Sequence, residues 1–241
     1  MGYVTISGVT AGKYVALGTQ FEDVAGTNIK VADAVKASPG QSASSSTGAD
    51  QIWRWNTATA SWTKYYLCNN RGDIYWAYDG GRNKVLDTDT IPAGETFFFL
   101  RGSGASTTEG ATLTLAGGVK DLTGNTAFSV TAAQLAFACN PWPIDLKISS
   151  FTSFYQPEGA PICEGSSSTG ADQVWLWNTA TSGWTKYYAC NNRGEKYWSP
   201  DGKRQAVTDD DVVPAGRGFF FQRGSSASAT QAAIVKIEMP K

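Results

Sequence analysis

The sequence predicts an all-β chain of two tandem homologous domains, each a β-sandwich or jelly-roll-like unit with one short helical segment. Three observations lead there. Ser44–Ser106 and Ser166–Ser228 are one sequence written twice at a constant spacing of 122 positions, agreeing without a gap at roughly two-thirds of them. SSSTGADQIWRWNTATASWTKYYLCNNRG is answered by SSSTGADQVWLWNTATSGWTKYYACNNRG, and IPAGETFFFLRGSGAS by VPAGRGFFFQRGSSAS. Solenoid and propeller repeats run to about 20–50 residues, so this period is that of a whole domain. Second, short β-prone runs recur between Gly, Pro and Asn turns, the pattern of sandwiches rather than parallel α/β sheets. Third, only 17% of residues are charged while 12% are aromatic, a mix suited to packed sheets with neutral surfaces. The domains are set at 1–120 and 121–241.

In the first unit, Tyr3–Ser7 and Lys13–Leu17 read as strands across a Gly/Thr-rich turn. Asn28–Lys36, with apolar Ile29, Val31, Ala32 and Val35, is nearer a short helix. After a Ser/Gly-rich loop, Gln51–Asn56 and Trp62–Cys68 form an aromatic hairpin closed by NTATAS, a loop of about five or six residues. Asn69–Gly72 turns the chain into a strand at Ile74–Tyr78, and Asp79-Gly80-Gly81 turns it again. Thr96–Arg101 and Ala111–Ala116 complete the unit. The second unit repeats the order with strands at Ala127–Thr131, Gln134–Cys139, Gln173–Asn178, Trp184–Cys190, Lys196–Ser199, Gly218–Arg223 and Ala233–Glu238. Leu146–Tyr155 takes the helical place, and the joint falls at Gly117–Asn125. The opening third of each unit has diverged most: Asn140-Pro141-Trp142-Pro143 stands where the first unit has Thr19-Gln20-Phe21-Glu22.

The formal net charge of −1, without a basic run, argues against nucleic acid as a partner. No apolar stretch reaches the length of a membrane span, and no signal peptide opens the sequence, so export would place Met1 after a removed leader. Four cysteines allow three fully paired connectivities. A Cys139–Cys163 disulfide is the favoured pairing, leaving Cys68 and Cys190 as buried thiols or as a bridge between units or subunits. Four reduced thiols is the other reading. With no His and no Cys-x-x-Cys spacing, zinc, haem and other cofactors are not expected.

Trp53 and Trp55, and their counterparts Trp175 and Trp177, sit two apart in strands, so each pair points to one sheet face. Ile52 and Arg54, matched by Val174 and Leu176, point to the other; an Arg exchanged for Leu marks a face that is partly buried or covered by a neighbour. Trp62 and Tyr66, repeated as Trp184 and Tyr188, form a second row with Lys64 and Lys186. Most such rings are expected in the core. The functional reading is an exposed aromatic platform, for subunit contact or for sugar rings. Asp87 and Asp89, with Asp209, Asp210 and Asp211, precede Pro-Ala-Gly turns and read as solvated turn carboxylates rather than a calcium loop.

Catalysis has little to draw on. Without His there is no Ser-His-Asp or Cys-His arrangement. The repeated carboxylates, Asp50/Asp172 among them, all fall at loop-like positions, which does not suggest a glycosidase pair. The chain is therefore read as a non-enzyme.

The motifs GYVxI, AGKYxxxGxQFEDV, ADQIxxWN with its YYxxxN hairpin, PAGxxFFxxR and TLTLAGxV resemble a group of internally duplicated, secreted β-rich proteins of verrucomicrobial-type bacteria, whose second halves carry an Asn-Pro-(aromatic)-Pro segment like Asn140–Pro143. The resemblance spans nearly the whole chain. It implies export and a β fold, and no catalytic or binding residues. The expected function is a structural subunit, extracellular or at the cell surface, that assembles with copies of itself into a filament, tube or layer. A carbohydrate-binding module with one aromatic site per repeat is the alternative, with glycans as partners, and a viral capsid or tail component is the third.

Overall fold

Alternating side chains and turn chemistry build the same sheet twice in the chain, described here from a computed structural model. Two units are resolved by internal contacts, Met1–Asp121 and Leu122–Lys241. The structure describes residues 2–19, 21–22, 26, 28–56, 59–119, 126–130, 132–140, 142, 144–153, 162–227 and 233–237. Most of the expected joint, together with Met1, Pro141, Pro143, Thr131, Phe154, Tyr155, Glu238 and part of the NTATAS loop, lies outside the described residues.

The first unit contains β1 (Gly2–Val9), β2 (Tyr14–Gly18), β3 (Phe21–Glu22), β4 (Ile29–Lys30), β5 (Lys36–Ser38), β6 (Gln51–Asn56), β7 (Ser61–Asn70), β8 (Asp73–Tyr78), β9 (Thr90–Ile91), β10 (Thr96–Leu100) and β11 (Ala111–Val119). The second contains β12 (Thr126–Val130), β13 (Leu135–Cys139), β14 (Leu146–Lys147), β15 (Gln173–Asn178), β16 (Gly183–Asn192), β17 (Glu195–Pro200), β18 (Val212–Val213), β19 (Gly218–Gln222) and β20 (Ala233–Ile237). The first unit's main sheet has the order β2-β10-β6-β7-β8, and the second's has the corresponding order β13-β19-β15-β16-β17. In the first unit β11 pairs with β1, β3 and β5 to form a second sheet; in the second unit β12 pairs with β20. The strand ladders are all antiparallel, and the architecture belongs to the β-sandwich class.

The apolar contacts run between the layers. In the first unit Ile52, Tyr65, Trp76, Phe97 and Phe99 of the main sheet pack with Leu113 and Leu115 of β11 and with Val4 and Ile6 of β1. In the second, Val174, Tyr187, Trp198, Phe219 and Phe221 pack with Trp142, Leu146, Ile148 and Phe151. The helical segments expected at Asn28–Lys36 and Leu146–Tyr155 are 3-10 turns, Val31–Asp33 and Ile148–Ser153, each entered from a two-residue strand. Ile29 pairs with Ile91, and Leu146 with Val213, so the start of each segment joins a ladder before a helix can propagate.

The β7–β8 hairpin shows how local sequence sets register. Asn70 pairs with Asp73, leaving Arg71 and Gly72 as a two-residue loop with φ of 58° and 101°. That geometry is the type I′ turn, whose twist matches the flanking strands. Asn69 Oδ1 accepts the Gly72 N–H at 2.9 Å, and Asn191 does the same for Gly194 at 3.0 Å. The β6–β7 and β15–β16 hairpins close with four-residue loops, shorter than the sequence predicts, because Asn56 pairs with Ser61 and Asn178 with Gly183. In the second copy Asn178 Oδ1 takes the N–H groups of both Ala180 and Thr181, folding the loop over its own side chain.

A buried ion pair fastens each main sheet at the other end. Asp50, 1% exposed, accepts Arg101 Nη1 at 2.6 Å, the Gln41 N–H at 2.8 Å and the Gly102 N–H at 3.0 Å. Asp172, fully buried, repeats the set with Arg223 at 2.5 Å, Cys163 N–H at 2.7 Å and Gly224 N–H at 2.7 Å. The backbone of Asp50 is also used: its N–H donates to Gln41 O, and its carbonyl accepts from Leu67 N–H, both at 2.8 Å. Burial pushes both carboxyls up from the ordinary carboxylate value, against the downward pull of the two N–H groups and the guanidinium. Glycine follows each arginine for want of space: a Cβ on Gly102 would lie 2.4 Å from the Ala49 carbonyl carbon, and one on Gly224 would lie 2.2 Å from Gly170 O.

Asp50→Ala strands a buried guanidinium and two N–H groups, and is expected to cost about 3–5 kcal/mol in denaturant unfolding. Asp50→Leu with Arg101→Met is expected to recover much of that loss, whereas additive losses from the two sites would show that the pair does not act as a unit.

Candidate functional site

On the main sheet of each unit, the face opposite the sandwich core carries a cluster of aromatic rings. Cross-strand register puts them there: Trp55 pairs with Trp62, Trp53 with Lys64 on one side and with Phe98 on the other. Trp53, Trp55 and Trp62 are half-buried, Phe98 is 5% exposed, and Tyr14 from β2 extends the row. Trp62 is the hub, with ring centroids 5.0 Å from Trp55, 5.6 Å from Phe98 and 6.2 Å from Trp53. In the second unit Trp184 lies 5.1 Å from Trp177, 5.2 Å from Phe220 and 6.1 Å from Trp175. There Phe137 replaces the small Ala16 and stacks on Phe220 at 4.2 Å.

Several of the rings meet edge to face. Interplanar angles are 64° for Trp55–Trp62, 83° for Tyr14–Trp53 and 72° for Trp177–Trp184, the arrangement favoured by the ring quadrupole. Lys64 Nζ sits 3.8 Å from the Trp53 ring centroid, and Lys186 sits 3.8 Å from that of Trp175. The indole N–H of Trp53 donates to Gln51 Oε1 at 2.7 Å, and Trp175 to Gln173 at 2.9 Å. Each glutamine amide in turn donates to a carbonyl of the serine loop, Ser46 or Ser168. The rings are thus locked from the ion-pair end of the sheet, since Gln51 and Gln173 directly follow the buried aspartates.

Tyr66 and Tyr188 share this face but sit apart from the ring cluster. Both are buried, at 3% and 2% exposure, beneath the loop preceding the hairpin, with Cys68 and Cys190 as neighbours. Their hydroxyls donate at 2.7 Å to Gly81 O and Lys203 O, while Tyr75 and Tyr197 donate at 3.0 Å to Arg82 O and Arg204 O. Two tyrosines per unit therefore pin the Asp-Gly turn. Of the eight aromatics singled out in the sequence, six join the two ring clusters and these two anchor a loop.

The expected Cys139–Cys163 disulfide is not formed; Cys139 and Cys163 carry thiols, as do Cys68 and Cys190. Sheet geometry forbids the bridge. Cys163 lies beside Asp172, at the end of the sheet where Leu135 meets Gln222 and Gln222 meets Gln173. Cys139 is at the other end of β13, opposite Gly218, four residues on and so about 13 Å away. A disulfide needs Cα atoms within about 7 Å. The Cys163 thiol instead donates to Gly170 O at 3.1 Å.

The acidic turns are individually engaged. Asp87 pairs with Lys30 at 3.1 Å and Asp209 with Lys147 at 2.8 Å. Asp89 accepts the Tyr78 hydroxyl, and Asp211 that of Tyr187 at 2.9 Å. Burial raises the Asp211 carboxyl, but Thr208 N–H, the Tyr187 and Thr208 hydroxyls and Lys203 outweigh it and hold the group below its ordinary value. Among the described residues no cluster of His, Cys, Asp and Glu is arranged to hold a metal ion. No helix of the described chain is long and apolar enough to cross a membrane.

Comparison with family models, with curated proteins and with solved structures finds no match to this chain.

Burial pushes the Tyr66 hydroxyl up to about 12, and raises Tyr65, Tyr187 and Tyr188 as well. Because the folded values exceed the unfolded value of about 10, these groups favour the fold fully below pH ~10, and that contribution is lost as pH climbs through the raised values. Spectrophotometric titration is expected to show a late-titrating tyrosine class whose ionisation coincides with alkaline unfolding. A single class titrating near pH ~10 would contradict the buried anchors.

Proposed function

We propose that this protein is a non-enzymatic structural subunit that assembles with copies of itself, and that the aromatic faces of the two main sheets are its contact surfaces. One observation carries the reading: the same half-buried ring cluster stands on the non-core face of both main sheets. Tryptophan and tyrosine are enriched where protein surfaces meet, with a large apolar area and little side-chain entropy to lose. Two similar faces on one chain suit head-to-tail contact, which propagates into a filament unless the rotation closes a ring. The net charge of −1 adds little long-range repulsion between copies.

Ring geometry favours this over glycan binding. A sugar ring stacks on an exposed aromatic face, and Lys64 and Lys186 already occupy faces of Trp53 and Trp175 at 3.8 Å. The remaining indoles are steeply tilted to one another, at 64° for Trp55–Trp62 and 72° for Trp177–Trp184, and offer no flat platform. Export to the cell surface belongs to the same proposal and rests on the resemblance of the repeat motifs alone.

Concentrated protein is expected to form regular assemblies in electron microscopy and to sediment as concentration-dependent oligomers. Trp62→Glu with Trp184→Glu puts a charge at each ring hub, and is expected to abolish association while circular dichroism still reports a β fold. Wild-type protein that stays monomeric at every concentration would overturn the proposal.

A further inference from the structure

The two units differ in how they treat one charge. In the first, Arg54 on β6 reaches Glu95 from the turn before β10, with Nε and Nη2 at 3.1 and 2.9 Å from Oε2, and gives Nη1 to Thr90 O at 2.9 Å. In the second unit the positions read Leu176 and Arg217. The cation now comes from the turn, and the carboxylate is missing. Arg217 has no ion pair with a described residue; its side chain makes one long hydrogen bond, Nη2 to Thr179 Oγ1 at 3.4 Å. Its backbone is fixed, with the N–H donating to Pro214 O at 3.1 Å and the carbonyl accepting from Asn140 N–H at 3.0 Å.

The guanidinium borders a cleft of about 360 Å³, walled by Leu176, Trp177, Tyr187, Val212 and Pro214. That is the size of a small-ligand site. Carboxylates on the surrounding segments are engaged by other donors: Asp145 accepts Ala215 N–H at 3.0 Å, and Asp211 accepts the Tyr187 hydroxyl and Thr208 N–H. Burial lowers the Arg217 pKa, as for a cation drawn from water without a counter-ion to restore it.

We propose that this cleft binds a carboxylate carried on an apolar or aromatic body, the group that Glu95 supplies internally in the first unit. A guanidinium fork matches a planar carboxylate, and the walls formed by Leu176, Tyr187, Val212 and Pro214 take the body. The carboxylate belongs either to a free organic acid or to a side chain of a second copy of this chain. The site does not depend on the aromatic-face assembly, because binding of a small acid is read on the monomer.

Benzoate is the probe, with benzyl alcohol as its uncharged analogue and inorganic phosphate as a non-planar anion. Titration calorimetry is expected to show saturable benzoate binding about tenfold or more tighter than either control. Arg217→Gln is expected to lose that margin. Leu176→Arg with Arg217→Glu rebuilds the first unit's internal pair and is expected to close the site while leaving the thermal transition in place. Should the double variant fail to fold, the single variant carries the test. If benzoate disperses wild-type oligomers in sedimentation and benzyl alcohol does not, the carboxylate comes from a second copy; oligomers unchanged by bound benzoate assign it to a free acid. Benzoate binding no tighter than benzyl alcohol or phosphate, or undiminished by Arg217→Gln, overturns the proposal.

Discussion

Each sandwich is organised around a carboxylate removed from water. Asp50 and Asp172 sit where four segments meet: the loop before the hairpin, the first hairpin strand, the second hairpin strand, and the chain leaving the Phe-Phe-Phe strand. An unpaired buried charge would cost several kcal/mol, so the aspartate is tenable only with every donor in place. That requirement couples the segments. The arginine must end the Phe-Phe-Phe strand, the next residue must lack a Cβ, and the loop must present an N–H. Arg101 is itself held by the turn before β2, through its N–H to Lys13 O and its carbonyl from Gly12 N–H, both at 2.9 Å. A buried ion pair is weak evidence for stability in itself. Here its clearest structural effect is to set register at one end of the sheet, and through Gln51 and Gln173 it also orients the nearest indoles.

The face of the sheet toward the second layer is a packed interior, while the opposite face carries rings that are only partly covered. The core face is lined by Phe and aliphatic side chains together with Tyr65 and Trp76, or Tyr187 and Trp198 in the second unit. The outer face uses Trp, whose N–H needs a partner and finds one in the neighbouring glutamine at Trp53 and Trp175. The ring hub keeps the same neighbours in both units, although Phe137 replaces Ala16 at its margin.

Elsewhere the units reach one end by different residues. Thr19 is 1% exposed and gives its hydroxyl to Pro92 O and Glu95 O at 2.6 and 2.7 Å. Asn140 in the second unit is fully buried and gives its amide to Ile144 O and Val213 O at 2.7 and 3.0 Å. Phe21 and Trp142 follow at corresponding positions, and both are core side chains. Divergence of the opening third has changed which groups satisfy the turn carbonyls, while the obligation to satisfy them remains. The Arg54–Glu95 pair is the case where the change left a charge behind.

Much of this was legible in the residues. Period-two alternation and Asn, Gly and Pro turns placed the main strands; Gln51–Asn56 and Gln173–Asn178 match the observed β6 and β15, because local pattern and tertiary pairing agree there. The parity of Trp53 and Trp55 put them on one face, but could not say which face was the core; that depends on where β1 and β11 dock. Asp50 and Asp172 read as loop carboxylates because burial is not a local property. Their signal was present in the Arg-Gly that closes each Phe-Phe-Phe strand in both copies. Cys139 and Cys163 looked bridgeable by separation along the chain, yet sheet register holds them at opposite ends of a strand.

By itself, the sequence determined the all-β class, the duplicated pattern, the places of the main turns and the side-chain parity of the strands, all legible in the pattern of residues. Tertiary structure alone decided which aspartates are buried, which aromatic face is left half-covered, and that Arg217 stands beside a cleft without its carboxylate. Those outcomes depend on segments up to about a hundred residues apart meeting at one place, and no local pattern encodes that meeting.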